Sequence, residues 1–574
     1  MQDAMNWLAR DPDPRTREEL QHLIDKKMHA ELEDRFTQRL EFGTAGLRGK
    51  VGCGPNRMNR LVIQETATGL GHYLIEHVAN AAIRGVVVGY DGRLDSKQFA
   101  IDTASVLTAL GIKVYLTANV AATPIVAFGI EHFNAAAAVV VTASHNPPEY
   151  NGFKVYWENG AQIIPPHDAG IADEIDVAST KPIPLISLSD AEKQGNLVWL
   201  TEGYYQTYRA AINQSPYVRN DIDSAHTTVT YTAMHGVGAQ MAEDLLHDGG
   251  FHKVFSVAEQ REPDGHFPTV NFPNPEEKGA MDLVVNLAKS VDADIACAND
   301  PDADRFAVAV RTDDTVRTDE ASYKMLTGDQ VGVLFAHYLL SKPHTKNQLV
   351  GNSIVSSTLL EKVANSHGAT YFQTLTGFKW LANIGMQLED EDNKFLFAYE
   401  EALGYTIGTQ VRDKDGLSAL VVFAQLVEEL KSQGRTVWDL LAQISLEHGV
   451  HTNAQRSIAL DPDSPSIGSK LRSAQPKTIG DVTVSVIEDL QSSLRYIIGG
   501  DTETINLPTS DVLIYHLQDG SRIIVRPSGT EPKVKVYYET VTKFEGSETY
   551  DEARQRGEEY TNNLIEQHQQ ELSA

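Results

Sequence analysis

Hydrophobic and polar positions along this chain switch repeatedly between a strand period and a helix period. Val86-Val87-Val88 is a β-branched run that reads as a buried strand, and Asp95 or Ser96 can cap the helix that follows. In that helix Phe99, Thr103, Val106, Leu107 and Leu110 share one face, and Gly111 stops it. Next come a strand at Lys113–Leu116 and a helix opened by the Thr123-Pro124 cap pair, with Ile125, Phe128 and Ile130. A strand at Ala136–Val141 then runs into a polar loop at Thr142. Strands alternating with helices predict a parallel sheet covered by helices.

The rhythm restarts twice. Strand Val229–Thr232 leads through His235-Gly236-Val237-Gly238 to a helix bearing Met241, Leu245 and Leu246; strand Val254–Val257, a helix near Met281–Leu287 and strand Ile295–Ala298 complete the unit. A third set runs from helix Val331–Leu340 through strand Leu349–Ile354, helix Leu359–Ala364 and strand Phe395–Tyr399 to a helix from Leu417. No sequence repeat links the three.

The last stretch differs. Ser457–Lys477, rich in Ser, Pro and Asp, reads as a linker around Asp461–Pro465. Strands at Val482–Ile487, Val512–Leu517, Arg522–Val525 and Val534–Tyr538, with a turn at Asp519-Gly520, predict an antiparallel sheet closed by a charged helix from Tyr550 to about Gln570. The expectation is four domains: three α/β mixed-sheet domains at 1–205, 206–322 and 323–450, and an α+β domain at 451–574. The segment before Phe42 reads as a charged helix without chemistry.

Composition narrows the function. The 574 residues carry a net charge of −29, which repels phosphate backbones and excludes nucleic acid as a main partner. Any phosphorylated substrate must then be met by a local basic site. Cys53 and Cys297 form no disulfide framework, the first ten residues lack the apolar core of a signal peptide, and the apolar run Ala135–Val141 is too short to span a bilayer. A soluble cytoplasmic protein, monomeric or weakly dimeric, is expected.

Three loops carry the strongest chemistry. Thr142-Ala143-Ser144-His145-Asn146-Pro147 follows a strand, where ligands bind in α/β sheets, and offers an exposed serine as nucleophile beside a histidine. Ser, His, Asn and Pro are also ordinary turn formers. In Asp300-Pro301-Asp302-Ala303-Asp304-Arg305 the carboxylates at i, i+2 and i+4 of extended backbone would point one way and need a cation, for which Mg²⁺ suits all-oxygen ligation. An EF-hand is excluded, because Arg305 and Arg311 stand where that loop needs Gly and Glu. Arg526-Pro527-Ser528-Gly529-Thr530, backed by Lys533 and Lys535, supplies a guanidinium fork, hydroxyls and open backbone amides for a phosphate. Two loops are softer signals: Glu400-Glu401-Ala402-Leu403-Gly404-Tyr405, which also reads as the acidic start of a helix, and the glycine-rich turn Gly43–Gly49 with Arg48. A serine nucleophile, a metal loop, a remote phosphate cradle and a hydroxyl-reading loop form the set that phosphoryl transfer between a serine and a phosphosugar needs.

These motifs, in this order, resemble the phosphoserine, metal, sugar-binding and phosphate-binding loops of the α-D-phosphohexomutases. His235-Gly236-Val237-Gly238, Asn151–Tyr156 and Thr376-Gly377-Phe378-Lys379-Trp380 resemble the phosphoglucomutase-2 type subgroup. The resemblance implies four domains facing a central cleft and interconversion of glucose 1-phosphate and glucose 6-phosphate. It further implies a phosphorylated Ser144 and a glucose 1,6-bisphosphate intermediate. By the same resemblance Ser144, Asp300, Asp302 and Asp304 would hold Mg²⁺, and His145, Lys154 and Arg48 would serve catalysis. Arg305, Thr376, Gly377, Lys379, Glu400 and Lys414 would bind substrate; Arg526, Ser528, Gly529, Thr530 and Lys535 would bind the distal phosphate. The last domain would open and close over the cleft.

One departure concerns specificity. Many members carry a serine at the position of Ala402, so one hydroxyl contact is missing here, and the subgroup that shares this includes pentose 1-phosphate mutases and bisphosphate synthases. Phosphopentomutase, phosphomannomutase and glucose 1,6-bisphosphate synthase activities stay open on the same machinery. A phosphatase or a non-catalytic sugar-phosphate sensor is the rival from another class.

Overall fold

Six strands from the first part of the chain form one sheet: β1 (Leu47–Lys50), β2 (Val86–Tyr90), β3 (Val114–Thr117), β4 (Ala137–Val141), β5 (Tyr150–Trp157) and β6 (Leu197–Leu200), in the order β1-β5-β4-β2-β3-β6. The computed structural model describes residues 2–43, 46–312, 322–459, 467–527 and 533–573. The centre of this sheet is parallel, as the alternation predicts, but β5 runs antiparallel to β4 and β1 antiparallel to β5. The reason is chain length: residues 142–149 are too few for a helical crossover, so β5 must fold straight back on β4. β2 and β4 are wholly buried, which is why they read as unbroken Val/Ala runs instead of alternating.

A second sheet has β7 (Val229–Thr232), β8 (Val254–Ser256), β9 (Ile295–Ala298), β10 (Ala307–Arg311) and β11 (Tyr323–Met325), ordered β11-β10-β9-β7-β8. It repeats the pattern, with β7–β9 and β7–β8 parallel and β9–β10 antiparallel. Farther on, β12 (Asn347–Ser353) and β13 (Thr370–Thr374) pair in parallel, and β14 (Asn393–Glu400) turns tightly into antiparallel β15 (Gly404–Ile407).

The last part is an eight-stranded sheet. It contains β16 (Val450–Ala459), β17 (Thr478–Ile479), β18 (Val482–Asp489), β19 (Leu494–Ile497), β20 (Thr502–Thr504), β21 (Leu513–Leu517), β22 (Arg522–Pro527) and β23 (Lys533–Thr542), ordered β16-β23-β22-β21-β18-β19-β20 with β17 on β18. Its core, with Val484, Ile487, Tyr515, Ile523, Val525 and Val536, also takes Leu564 and Ile565 from the closing helix Tyr550–Ser573.

The sequence reading needs four corrections. The segment before Phe42 is three helices, Gln2–Arg10, Pro14–Asp25 and His29–Phe36, and buries Trp7, Leu20 and Leu23 in the core of the first sheet. The stretch read as a linker, Ser457–Lys477, begins inside the long edge strand β16 and contains a helix, Ile467–Ser473; Asp461–Pro465 lies outside the described residues. Thr123 is the first residue of its helix and not its cap, because its hydroxyl is engaged by another loop. Glu400-Glu401 ends a strand and enters a hairpin; no helix starts there.

The chain divides into two compact units. One holds Met1–Gly328, Phe378–Gln387 and Phe395–Gly434; the other holds Asp329–Gly377, Leu388–Lys394 and Arg435–Ala574. Among the described residues no helix is long and apolar enough to cross a membrane.

Candidate active site

All four motif loops occupy one kind of place. Residues 142–149 join β4 to β5, 299–306 join β9 to β10, 401–403 join β14 to β15, and 528–532 join β22 to β23. The first three are turns between antiparallel neighbours, entered from the carboxyl end of the first strand, and 528–532 lies outside the described residues. In the three loops of the first unit the chain bends through a non-glycine residue in the left-handed region: Ser144 (φ 53), Ala303 (φ 54) and Leu403 (φ 62). Such residues cost about 1 kcal/mol or more each and persist only where the surroundings dictate them.

Ser144 is not exposed, as expected, but only 3% accessible. Its Oγ donates to Asp300 Oδ2 at 2.9 Å and lies 3.1 Å from His145 Nδ1, while its amide donates to Thr142 Oγ1 at 2.8 Å. The hydroxyl has one proton, so when that proton goes to Asp300 the second contact is a donation from Nδ1–H. Burial, with the Arg305 and Arg48 guanidinium groups, pushes the His145 pKa down to about 2, so the ring is neutral.

The three carboxylates converge, though not on extended backbone: Asp300–Asp304 is a turn, and Ala303 supplies the bend. One oxygen from each of Asp300, Asp302 and Asp304 lies within 4.8 Å of the others, and all three residues are buried. Lys154 Nζ bridges two of them, 2.7 Å from Asp302 Oδ2 and 2.9 Å from Asp304 Oδ2, and Lys414 Nζ lies 3.5 Å from Asp304 Oδ2. Burial raises the Asp302 carboxyl, but Lys154 and its hydrogen bonds outweigh this and hold it below its ordinary range. Asp300 has no such partner, and burial beside Asp302 and Asp304 drives it far above that range. The remaining oxygens, Asp302 Oδ1 and Asp304 Oδ1, are buried without a hydrogen-bond partner. Unpaired anionic oxygens in a dry site carry a large desolvation cost that a hard divalent cation removes, so these residues fit a Mg²⁺ site.

Two cations flank the cluster. The Arg305 amide donates to Asp300 Oδ1 at 3.0 Å; its guanidinium approaches Glu276 Oε2 at 3.6 Å and keeps a buried, unpartnered Nε. Arg48, an exposed residue of β1, reaches Asn146 Oδ1 at 3.4 Å.

The sugar-loop motif docks on the metal loop. Phe306 N donates to Leu403 O at 3.1 Å, and Arg305 and Gly404 form a β-bridge. Gly404 is required by close approach, since a Cβ there would stand 2.5 Å from Lys414 Cδ. Glu400 sits opposite Gly404 in the hairpin register; burial lowers the Lys414 pKa, but the fields of Asp304, Asp413 and Glu400 outweigh it and raise the pKa above its ordinary value.

The remaining residues are divided. Arg526 and Lys535 stand opposite each other on β22 and β23, both half-buried, so two like charges face across one pair of strands. Ser528, Gly529 and Thr530 lie outside the described residues. Thr376 and Gly377 belong to the second unit with Arg526 and Lys535, whereas Lys379 and Glu400 belong to the first with Ser144 and the carboxylates.

Sequence reasoning missed three contributors. Thr123 Oγ1 donates to Asp302 Oδ2 at 2.7 Å. Asp413 accepts from Lys414 Nζ (3.1 Å) and Tyr156 Oη (2.6 Å), holding the lysine beside the carboxylates. Arg93 binds the backbone of the loop that bears Ser144. Only Arg93 gave a signal: Asp91-Gly92-Arg93 follows the carboxyl end of a central strand, β2.

Comparison with known proteins places this site in a family. Models of the phosphoglucomutase/phosphomannomutase α/β/α domains I, II and III match residues 39–181, 205–313 and 327–446, and that of the C-terminal domain matches 475–555. The chain is 39% identical over 490 residues to a probable phosphomannomutase of Haemophilus influenzae, covering 84% of this chain and 92% of that one. It is 35% identical over 553 residues to a probable phosphoribomutase of Schizosaccharomyces pombe, covering 92% of each. It is also 35% identical over 513 residues to a phosphoglucomutase of Staphylococcus haemolyticus, covering 88% and 91%. The chain belongs to the phosphoglucomutase/phosphomannomutase family. It is a phosphomutase, an intramolecular phosphotransferase with three α/β domains and a C-terminal α+β domain.

Proposed function

We propose that this phosphomutase interconverts α-D-glucose 1-phosphate and glucose 6-phosphate through a phosphorylated Ser144 and bound glucose 1,6-bisphosphate. The observation that carries the reading is the Ser144 hydroxyl, 2.9 Å from Asp300 at the edge of a buried cluster with two unpartnered carboxylate oxygens. Asp300, Asp302 and Asp304, with the Ser144 phosphoryl oxygens, would hold Mg²⁺, which supplies charge neutralisation to the transferring group.

This chain's own residues do the rest. The free sugar hydroxyl attacks the phosphoryl group; its O–P bond forms as the Ser144 Oγ–P bond breaks, and the hydroxyl proton passes to a base. In the second half the bisphosphate, turned end for end, returns its other phosphoryl group to Ser144. Neutral His145 beside Oγ and Lys154 between two carboxylates are the groups able to move or hold a proton there. Arg48 and Arg305 steady phosphoryl oxygens, Glu400 and Lys414 read the sugar, and Arg526 with Lys535 holds the distal phosphate. Thr376, Gly377 and Lys379 complete the substrate contacts.

Glucose is supported by the phosphoglucomutase relative. A second reading, a pentose 1-phosphate substrate, is favoured by Ala402, which offers no hydroxyl in the sugar loop, and by the phosphoribomutase relative. A mutase assay on glucose, mannose and ribose 1-phosphates with Mg²⁺ and a trace of glucose 1,6-bisphosphate tests both. Glucose 1-phosphate leading by an order of magnitude supports the first reading, ribose 1-phosphate leading replaces it, and no turnover sinks both.

A further inference from the structure

Arg93 is only 4% exposed and forms a buried ion pair with Asp91, yet none of its guanidinium hydrogen bonds goes to a carboxylate. Asp91 Oδ2 lies 3.3 Å from Nε without hydrogen-bond geometry, while Asp91 Oδ1 is taken by the Arg93 amide (3.0 Å) and Ser96 Oγ (2.6 Å). The fork is spent on backbone. Nη2 donates to Ser144 O at 2.8 Å and Asn146 O at 2.6 Å; Nη1 donates to Pro147 O at 2.8 Å and Tyr150 O at 3.0 Å. One planar cation therefore gathers three carbonyls from the loop that bears Ser144 and one from the first residue of β5. Its other side is closed by the Phe267 ring, 5.1 Å from Cζ.

The geometry fits a positioning role better than a general packing role. The first anchored carbonyl is that of Ser144, whose left-handed φ of 53° aims Oγ at Asp300. Peptide planarity makes the next amide, His145 N–H, point away from Arg93, and among the described residues it donates to none. Pinning the carbonyl thus presents Oγ and an amide on the face opposite Arg93. A lysine cannot replace this, because it has no fork to span two pairs of carbonyls.

We propose that Arg93 is a positioning residue for phosphoryl transfer: it holds the Ser144 turn in its strained conformation from behind and fixes where the phosphoserine points. This rests on the mutase reading for its kinetic test only. In that test Arg93→Ala lowers kcat about 100-fold with KM within about threefold, and millimolar guanidinium restores at least about tenfold of the loss. Arg93→Lys, the gentler change, still loses about tenfold in kcat. A folded variant with kcat within threefold of wild type, or a loss that guanidinium does not relieve, overturns the proposal, as does failure of both variants to fold. Hydrogen exchange over residues 143–151 checks the anchoring without turnover. Exchange at least tenfold faster in Arg93→Ala, with β2 unchanged, supports it, and unchanged exchange overturns it. A wild-type enzyme inactive on every aldose 1-phosphate removes the mutase reading and leaves the exchange result to judge Arg93.

Discussion

Lys154 Nζ sits 2.7 Å from Asp302 Oδ2 and, through the same ammonium, 2.9 Å from Asp304, so a buried lysine already occupies the place between two metal-type carboxylates. The lysine neutralises part of the cluster, and a divalent cation would complete the neutralisation. Lys154→Met should destabilise the metal-free protein by about 3 kcal/mol, because uncompensated carboxylates stay buried. Saturating Mg²⁺ should recover most of that, while turnover stays low. Thermal unfolding with EDTA and with Mg²⁺ checks this; equal loss under both conditions refutes the shared-charge account.

Ser144→Ala removes the hydroxyl proposed to carry the phosphoryl group and leaves every carboxylate in place. Turnover should fall roughly 10⁴-fold or more. Metal binding by calorimetry should persist, because Asp300, Asp302 and Asp304 remain. Loss of metal binding in proportion to activity would count against the nucleophile role.

Ala402 lies in the three-residue hairpin between Glu400 and Gly404, beside the metal loop. Ala402→Ser restores one hydroxyl donor. The kcat/KM ratio for glucose over ribose 1-phosphate should rise about tenfold, the value of one hydrogen bond. An unchanged ratio would assign specificity to another position.

Arg526 stands opposite Lys535 across β22 and β23, so two cations are presented side by side to an anion bound there. Arg526→Ala should raise KM between about tenfold and 100-fold, as expected for a charged hydrogen bond, and release free bisphosphate into solution. Following the bisphosphate by a coupled assay decides it; no extra release removes Arg526 from the phosphate site.

Stability should depend on acidity through His568. Its Nδ1 lies 3.0 Å from Tyr538 Oη, and burial pushes its pKa from 6.5 to about 4. The unfolded chain binds the proton first as pH falls, so this contribution is complete above pH 6.5, declines between 6.5 and 4, and levels below. The loss reaches up to about 3 kcal/mol. His568→Gln should flatten that part of the unfolding curve measured by denaturant titration.

Much of the site was legible because its chemistry is local. Ser144 and the three aspartates, which the structure brings together, stand in short motifs after strand-like runs, and strands such as Val229–Thr232 and Ile295–Ala298 fall where the β-branched runs predict. The antiparallel strand beside the parallel centre of the first sheet was not legible, although the antiparallel C-terminal sheet was. β5, Tyr150–Trp157, is buried on both faces and carries Asn151, Gly152 and Lys154, so neither alternation nor a continuous apolar run marks it. Its pairing follows from loop length, not from side chains. Thr123 looked like a cap because its use by Asp302 depends on a contact between residues far apart in sequence. Arg93 and Asp413 act through backbone carbonyls and through another side chain, and such roles leave no spacing to find.

The first compact unit also sets a timetable for synthesis. A nascent chain that has reached Gly328 already carries Ser144 and all three aspartates, yet it lacks Asp413, Lys414 and Asp415. Tyr156 and Tyr208, whose hydroxyls end on Asp413 and Asp415, would then be without their acceptors, and the β-bridge from Arg305 would have no Gly404 to meet. The nucleophile-bearing unit can close only after Gly434 has left the ribosome, with about three-quarters of the chain made. Until then the carboxylate site has Lys154 but not the second lysine, Lys414, and a product terminated before it would be born unable to complete the site.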